Sequence, residues 1–136
     1  MKILVSACLL GRNCKYTGGN NFDPKVAEFA RDREVIPVCP EECLGMPRIP
    51  MELVDGRLIN RDGETVDDLV RAQIAEILEQ IRNQEIECCV LKSRSPTCGV
   101  RQIYDGSFSG KLVDGMGALA KALHEAGYRC VDAEDL

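Results

Sequence analysis

Three cysteines that lie far apart in the chain each follow a short apolar run. Cys8 closes KILVSAC, Cys39 closes EVIPVC, and Cys98 lies in SRSPTCG directly behind IECCVLK. Cysteine thiolates are ligands of iron-sulfur clusters and of many zinc sites, so this pattern predicts a metal centre. A cubane cluster with three cysteine ligands keeps one iron free of protein ligands, and such an iron can act as a Lewis acid.

The other five cysteines allow different interpretations. Cys88 and Cys89 are neighbours on a predicted strand and point to opposite faces, so they cannot readily serve one site. Cys130 fits a small buried hydrophobic side chain, an interpretation that stays open for all eight cysteines. Cys14 and Cys43 lie in loops beside the chosen ligands and are alternative fourth ligands, which would close a cluster or a structural zinc site.

A cysteine nucleophile is the competing chemistry. The single histidine, His124, falls in a predicted helix away from the cysteine loops, so a Cys-His pair is not expected. The segment GSFSGK at 106–111 has too short an interval for a phosphate-binding loop. Its glycines predict a tight turn beside the site instead.

The elements that would position the cysteines alternate between strands and helices. Apolar runs predict strands over 2–7, 34–39, 86–92 and 128–131, and helical spacing predicts helices that start at Asp23-Pro24 and cover 65–81 and 117–126. This alternation is typical of an α/β fold: a three-layer Rossmann-like domain with a mainly parallel sheet, and with the cysteines at the carboxyl ends of strands. Ligands of such sheets bind at that end.

Three local patterns add detail to this fold. Thr65 and Asp68 resemble a capping box at the start of the longest helix. Pro37 lacks an amide donor, which favours an edge position for its strand. The turn-rich stretch 40–63 is expected to contain a small hairpin near 53–60.

Composition limits the classes of protein that fit. A chain of 136 residues with 45% hydrophobic content predicts one domain, 1–136, whose core needs no metal or disulfide. A net charge of −5 argues against a nucleic-acid partner, and no apolar run reaches the roughly 18–20 residues of a membrane span. The opening residues do not suggest a signal peptide, so a cytoplasmic protein with thiol cysteines and a small-molecule partner is expected.

Six motifs occur in order along the chain: SACLLG, PVCPE, PR-x-P, SRSPTCG, IYDGSFSG and G-x-G-A-L-A. Together they resemble the thiouracil desulfurase family over nearly the whole chain. The resemblance implies a 4Fe-4S cluster held by Cys8, Cys39 and Cys98, with the fourth iron open to a substrate sulfur. It also implies two catalytic residues, a glutamate of C-P-E at Glu41 and a serine of S-P-x-C at Ser95.

The chemistry implied is a hydrolytic, non-redox removal of sulfur from a small thiolated compound such as thiouracil. Glu41 would take a proton from water, and Ser95 would relay a proton or hold the ring. Both remain open to a plainer interpretation as turn residues. Four basic residues in or near these loops either favour an anionic substrate or are ordinary surface charges: Arg48, Lys92, Arg94 and Arg101.

Two departures from the family pattern leave alternatives open. The segment EECLGMPRIP is shorter than the family's usual glycine-rich segment and is expected to bring Cys43 to the site. The alternative function is therefore a non-catalytic iron-sulfur or zinc binding protein. The chain also lacks the additional domain of some relatives, so it is expected to act as a monomer or homo-oligomer.

Overall fold

The computed structural model describes all residues, 1–136, and contains eight strands and three α-helices. In chain order these are β1 (Lys2–Ser6), α1 (Pro24–Ala30), β2 (Glu34–Val38), β3 (Met51–Val54), β4 (Arg57–Asn60), α2 (Asp67–Ile81), β5 (Ile86–Leu91), β6 (Gln102–Tyr104), β7 (Leu112–Asp114), α3 (Ala118–Glu125) and β8 (Cys130–Asp132). Short 3-10 turns follow β1 at Ala7–Leu10, precede β3 at Glu42–Leu44 and end the chain at Ala133–Asp135.

The central sheet has four parallel strands in the order β2-β1-β5-β8. Strand β2 lies at its edge, as Pro37 predicts, and Pro37 is exposed opposite Val5 of β1. The parallel strands are joined by helical crossovers, so the predicted α/β architecture is confirmed.

Helices cover both faces of this sheet. Leu4 and Cys89 pack with α2 and α3 on one face, while Val5 and Cys88 pack against the α1 side on the other. Cys88 and Cys89 therefore point to opposite faces of the sheet, which confirms that prediction. The sheet and the helices on its two faces form three layers, as predicted. Full burial of an aliphatic side chain contributes about 1.5–3 kcal/mol, so these two apolar layers hold the strand ends in a fixed arrangement.

Two antiparallel hairpins extend the structure beside the sheet. The predicted hairpin is confirmed as β3–β4, with Asp55 and Gly56 at φ 51° and 81° in its two-residue turn. A second hairpin, β6–β7, was expected only as a tight turn, because strands of three residues give almost no periodic pattern. The Glu52 carboxylate joins the two, since it accepts hydrogen bonds from the amides of Gly106 at 3.0 Å and Phe108 at 3.2 Å.

The predicted capping box at Thr65 is wrong. Helix α2 begins at Asp67, and its N-cap residue, Val66, makes no side-chain capping bond. The carboxylate of Asp67 instead accepts from the Leu58 amide at 3.0 Å and from Arg71 Nε at 2.9 Å. Burial alone would raise the pKa of Asp67, but these two donors lower it, and the helix is thereby fixed to β4.

The predicted end of the chain also needs a small correction. The last strand begins at Cys130 rather than Tyr128, because the Tyr128 amide donates to Leu123 of α3 at the helix end. Gly127 has a φ of 93° and stops the helix, as predicted. None of the three helices is long and apolar enough to cross a bilayer.

Candidate metal centre

The three predicted ligand cysteines converge at one edge of the sheet. Cys8 lies in the turn after β1, Cys39 follows β2, and Cys98 lies in the loop after β5. These three strands are neighbours and parallel, so their carboxyl ends are adjacent. All three cysteines line a single cavity of about 490 Å³. The cavity has the volume of a small-molecule site.

The four thiols in this cavity are free of disulfides, with Cys14 and Cys98 buried and Cys8 and Cys39 half-buried. Burial raises the pKa of Cys98 to about 12, although the Ser6 and Thr97 hydroxyls act in the opposite direction. Burial likewise raises the pKa of Cys39 and of Cys14. Cys14, Cys39 and Cys98 therefore keep their protons at neutral pH in the metal-free protein, and a metal must displace those protons to bind.

Cys14 and Cys43, the two alternative fourth ligands, have different surroundings. Cys14 lines the cavity, and its Sγ lies within 4.8 Å of Cys39 Sγ and of a Glu42 carboxylate oxygen. Cys43 does not line the cavity, so the prediction that it reaches the site is wrong. The 3-10 turn directs its thiol to the carbonyl oxygens of Pro40 and Leu69, each 3.7 Å away.

A phosphatase-type cysteine is absent from the cavity. A phosphatase loop places an arginine six positions after its cysteine, and Cys88 with Arg94 is the one pair in the chain with this spacing. Cys88 is only 2% exposed inside β5 and is not among the cavity residues. His124 is also remote, in α3, so no Cys-His pair forms.

Glu41 lies in the cavity beside a buried guanidinium. Arg48 Nη2 is 3.3 Å from Glu41 Oε1, and the two side chains are 8% and 15% exposed respectively. Arg48 also donates to the carbonyl oxygens of Cys14 at 2.9 Å and Gly45 at 3.1 Å. Its Nε is buried without a partner. This guanidinium holds Glu41 in place and leaves one donor unused.

Ser95 lies in the loop that carries Cys98. Ser95 Oγ accepts hydrogen bonds from the amides of Thr97 at 3.1 Å and Cys98 at 3.0 Å. The Ser95 and Thr97 hydroxyls are 3.1 Å apart, and Thr97 Oγ1 donates to Glu41 Oε2 at 2.8 Å. The two predicted catalytic residues are thus joined through Thr97, a residue of the SPTC motif to which the sequence pattern assigns no role.

The loop 95–99 is fixed by the start of α3. The Ala118 amide donates to Pro96 O at 2.9 Å, the Leu119 amide to Thr97 O at 2.8 Å, and the Gly117 amide to Gly99 O at 2.8 Å. Gly117 approaches so closely that a Cβ there would lie 2.5 Å from the Thr97 carbonyl carbon. Glycine is therefore required at 117 by contact with the Cys98 loop.

Basic side chains outnumber acidic ones around the cavity. Its charged lining residues are Lys15, Glu41, Arg48, Glu52, Arg61, Lys92 and Arg94. Arg101, which the sequence grouped with them, is outside the cavity and pairs with Asp135 at 3.1 Å. Thiols are soft ligands of the kind that hold iron-sulfur clusters. The positive groups close by would offset the negative charge of the thiolates and of the cluster, so the residues present fit an iron-sulfur cluster.

The fold and this site define an α/β protein with a thiol-lined cavity at the carboxyl edge of a parallel sheet. The model of the 2-thiouracil desulfurase family matches residues 3–135, and the chain belongs to that enzyme family. It is 33% identical over 146 residues to the uncharacterized protein YbbK of Bacillus subtilis (strain 168), with 98% of this chain and 97% of YbbK covered. The structure of TudS, a 4Fe-4S-dependent thiouracil desulfidase, superposes with a TM-score of 0.90 at 29% identity, covering 99% of this chain and 92% of TudS. The family resemblance read from the motifs is confirmed.

Proposed function

We propose that this chain is an iron-sulfur-dependent, non-redox desulfurase that converts the C=S group of a small compound such as thiouracil to C=O. The observation that carries the proposal is one cavity lined by Cys8, Cys39 and Cys98 together with Glu41 and Ser95. Water supplies the oxygen and its two protons leave with sulfur as hydrogen sulfide, so atoms balance and no electrons are exchanged.

Cys8, Cys39 and Cys98 would hold a 4Fe-4S cluster through their thiolates. When bound, such a cluster supplies an iron with an open coordination position, a Lewis acid suited to a soft thiocarbonyl sulfur. The cofactor of TudS and the family membership of this chain support the assignment. The buried Arg48 guanidinium adds positive charge beside the thiolates.

Glu41 is the proposed general base. Its carboxylate lies in the cavity and is held by Arg48 at Oε1 and by Thr97 at Oε2, so its orientation is fixed before substrate binds. A water molecule between Glu41 and the substrate would lose a proton to the carboxylate as its oxygen attacks the thiocarbonyl carbon. Cavity cations such as Lys15 and Arg61 favour an anionic form of the substrate or of the sulfide product.

Ser95 is the proposed proton donor to the substrate. Two backbone amides donate to its Oγ, and this favours the form of the hydroxyl that has given up its proton. The position of Ser95 in the cavity lining is consistent with contact to a bound ring. Residues 1–136 would perform this chemistry as one domain, and their eight thiols suit the reducing cytoplasm.

The test is desulfuration of thiouracil by protein loaded with cluster under anaerobic conditions. Glu41→Gln should bind as much iron and sulfide as the wild type while kcat falls about 10²–10⁴-fold, since general base catalysis supplies that much. Glu76→Gln is the control, because Glu76 is exposed on α2 and lies outside the cavity. Equal loss of turnover in both variants would contradict the assignment of Glu41.

A zinc protein is the second candidate, and one observation favours it. Cys14, Cys39 and Glu42 bring three potential ligand atoms within 4.8 Å of one another. A zinc site built on them would lose affinity in Glu42→Gln and in Cys14→Ala. The desulfurase proposal expects both variants to retain iron and acid-labile sulfide.

A further inference from the structure

The hydroxyl of Thr97 lies between the two side chains proposed to perform catalysis. Thr97 is fully buried, and its Oγ1 is 2.8 Å from Glu41 Oε2 and 3.1 Å from Ser95 Oγ. Glu41 and Thr97 are 56 positions apart in the sequence and come from neighbouring loops of the cavity. The three groups therefore form one continuous hydrogen-bonded row.

The direction of this row is set by its donors and acceptors. Thr97 Oγ1 lies 2.8 Å from Glu41 Oε2 and 3.7 Å from Cys98 Sγ. The carboxylate only accepts hydrogen bonds and is the nearer and stronger acceptor, so the single hydroxyl proton of Thr97 points to Glu41. The oxygen of Thr97 then accepts from the Ser95 hydroxyl, because the Ser95 oxygen already accepts from the Thr97 and Cys98 amides. In the resting protein every proton of the row points toward Glu41.

We propose that Thr97 is a positioning residue that links Ser95 and Glu41 into a single proton-transfer unit; this inference rests on the proposed desulfurase function. Once Glu41 has taken a proton from water it becomes the donor to Thr97 Oγ1, so the Thr97 hydroxyl turns toward Ser95 Oγ and the Ser95 hydroxyl turns toward the substrate. The Glu41 proton then passes to Thr97 Oγ1 while the Thr97 proton passes to Ser95 Oγ. Ser95 gives its own proton to the substrate. One O–H bond forms and one breaks at each of the three side chains, so all three return to their starting protonation with no change in electron count.

Hydrogen bonds hold the backbone of Thr97 in place and thereby position its hydroxyl. Its carbonyl oxygen accepts from the amides of Leu119 at 2.8 Å and Ala120 at 3.1 Å, so the first turn of α3 holds its backbone. Its amide donates to Ser95, which closes the turn that precedes Cys98. A change of the side chain alone can therefore remove the link while these backbone bonds remain.

The experiment compares Thr97→Val, which removes the hydroxyl, with Thr97→Ser, which retains it. In cluster-loaded protein, Thr97→Val should lower kcat about 100-fold or more with KM changed less than about twofold, because the link acts on proton transfer and not on binding. Thr97→Ser should keep kcat within about tenfold of the wild type. Iron and acid-labile sulfide per chain should be the same in all three proteins.

A second measurement reads the hydrogen bond without any turnover. The infrared carboxylate band of Glu41, identified by its loss in Glu41→Gln, should shift in Thr97→Val and return in Thr97→Ser. Wild-type turnover in loaded Thr97→Val, equal impairment of the two variants, or an unchanged band would overturn the inference. If Thr97→Val does not load cluster, loss of more than about tenfold in kcat by Thr97→Ser overturns it.

The outcomes separate this inference from the function on which it rests. A wild-type protein that carries the full cluster and desulfurates no thione contradicts the proposed function and the proton link together. An active wild type and an equally active Thr97→Val contradict the proton link alone.

Discussion

Gly117→Ala should displace the loop 95–99, which carries Cys98, from outside the cavity. The added Cβ would lie 2.5 Å from Thr97 C, 2.6 Å from Thr97 O and 2.9 Å from Cys98 N, whereas ordinary contacts are 3.4–4 Å. All three are backbone atoms, so the loop must move by roughly 1 Å in a close-packed interior. That movement strains the hydrogen bonds between the loop and α3, including Leu119 N to Thr97 O at 2.8 Å.

The expected magnitude follows from these contacts. Overpacking of a core costs about 1–3 kcal/mol, and a weakened hydrogen bond adds about 1 kcal/mol, which gives ~2–4 kcal/mol in total. For a domain of this size the melting temperature should fall by roughly 6–16 °C. Bound iron and sulfide should fall as well, because Cys98 moves with the loop.

The assay is thermal unfolding together with iron and sulfide analysis of reconstituted protein. Gly19→Ala is the matched control, since a Cβ there meets only Thr17 Oγ1, at an ordinary 3.5 Å. The control should melt within about 2 °C of the wild type, as surface substitutions usually do. A Gly117→Ala protein that melts and loads cluster like the wild type would refute the argument that α3 sets the position of Cys98.

Three further predictions test the ligands and the scaffold. Cys98→Ala should abolish bound iron and sulfide, while Cys43→Ala should retain both, because the Cys43 thiol is outside the cavity. Arg48→Met should lower cluster retention, since it removes a positive charge that is 8% exposed beside the thiols; unchanged retention would contradict this role. Asp67→Ala should destabilise the fold by about 1.5–3 kcal/mol at pH 7, whereas exposed Asp68→Ala should not. The pKa of the Asp67 carboxylate is lowered in the folded protein. Its contribution to the free energy of unfolding is therefore present above the unfolded pKa of about 3.9 and is lost as pH falls through the folded value. Urea unfolding at pH 7 and at pH 3 measures this difference.

Much of the fold was predictable because its elements carry strong local patterns. The three apolar runs before Cys8, Cys39 and the Cys98 loop became neighbouring parallel strands, and their common carboxyl edge follows from that topology. Pro37 likewise predicted an edge strand from one missing amide donor. These predictions needed no knowledge of side-chain contacts.

The missed features depend on contacts between distant residues. Asp67, not Thr65, stabilises the start of α2, because a hydrogen bond from Leu58 of β4 overrides the local capping pattern. The hydrogen bond between Thr97 and Glu41 joins residues 56 positions apart, so no short-range sequence pattern predicts it. Cys43 resembles a ligand in the sequence, and only the geometry of its 3-10 turn removes its thiol from the cavity.

The central claim is tested most directly by measuring iron, acid-labile sulfide and zinc in anaerobically reconstituted protein and then assaying uracil and sulfide formed from thiouracil. The account predicts about four irons and four sulfides per chain, equal release of uracil and sulfide, and loss of both cluster and turnover in Cys39→Ala. Tightly bound zinc without acid-labile sulfide, or a fully loaded protein that desulfurates no thione, would contradict it.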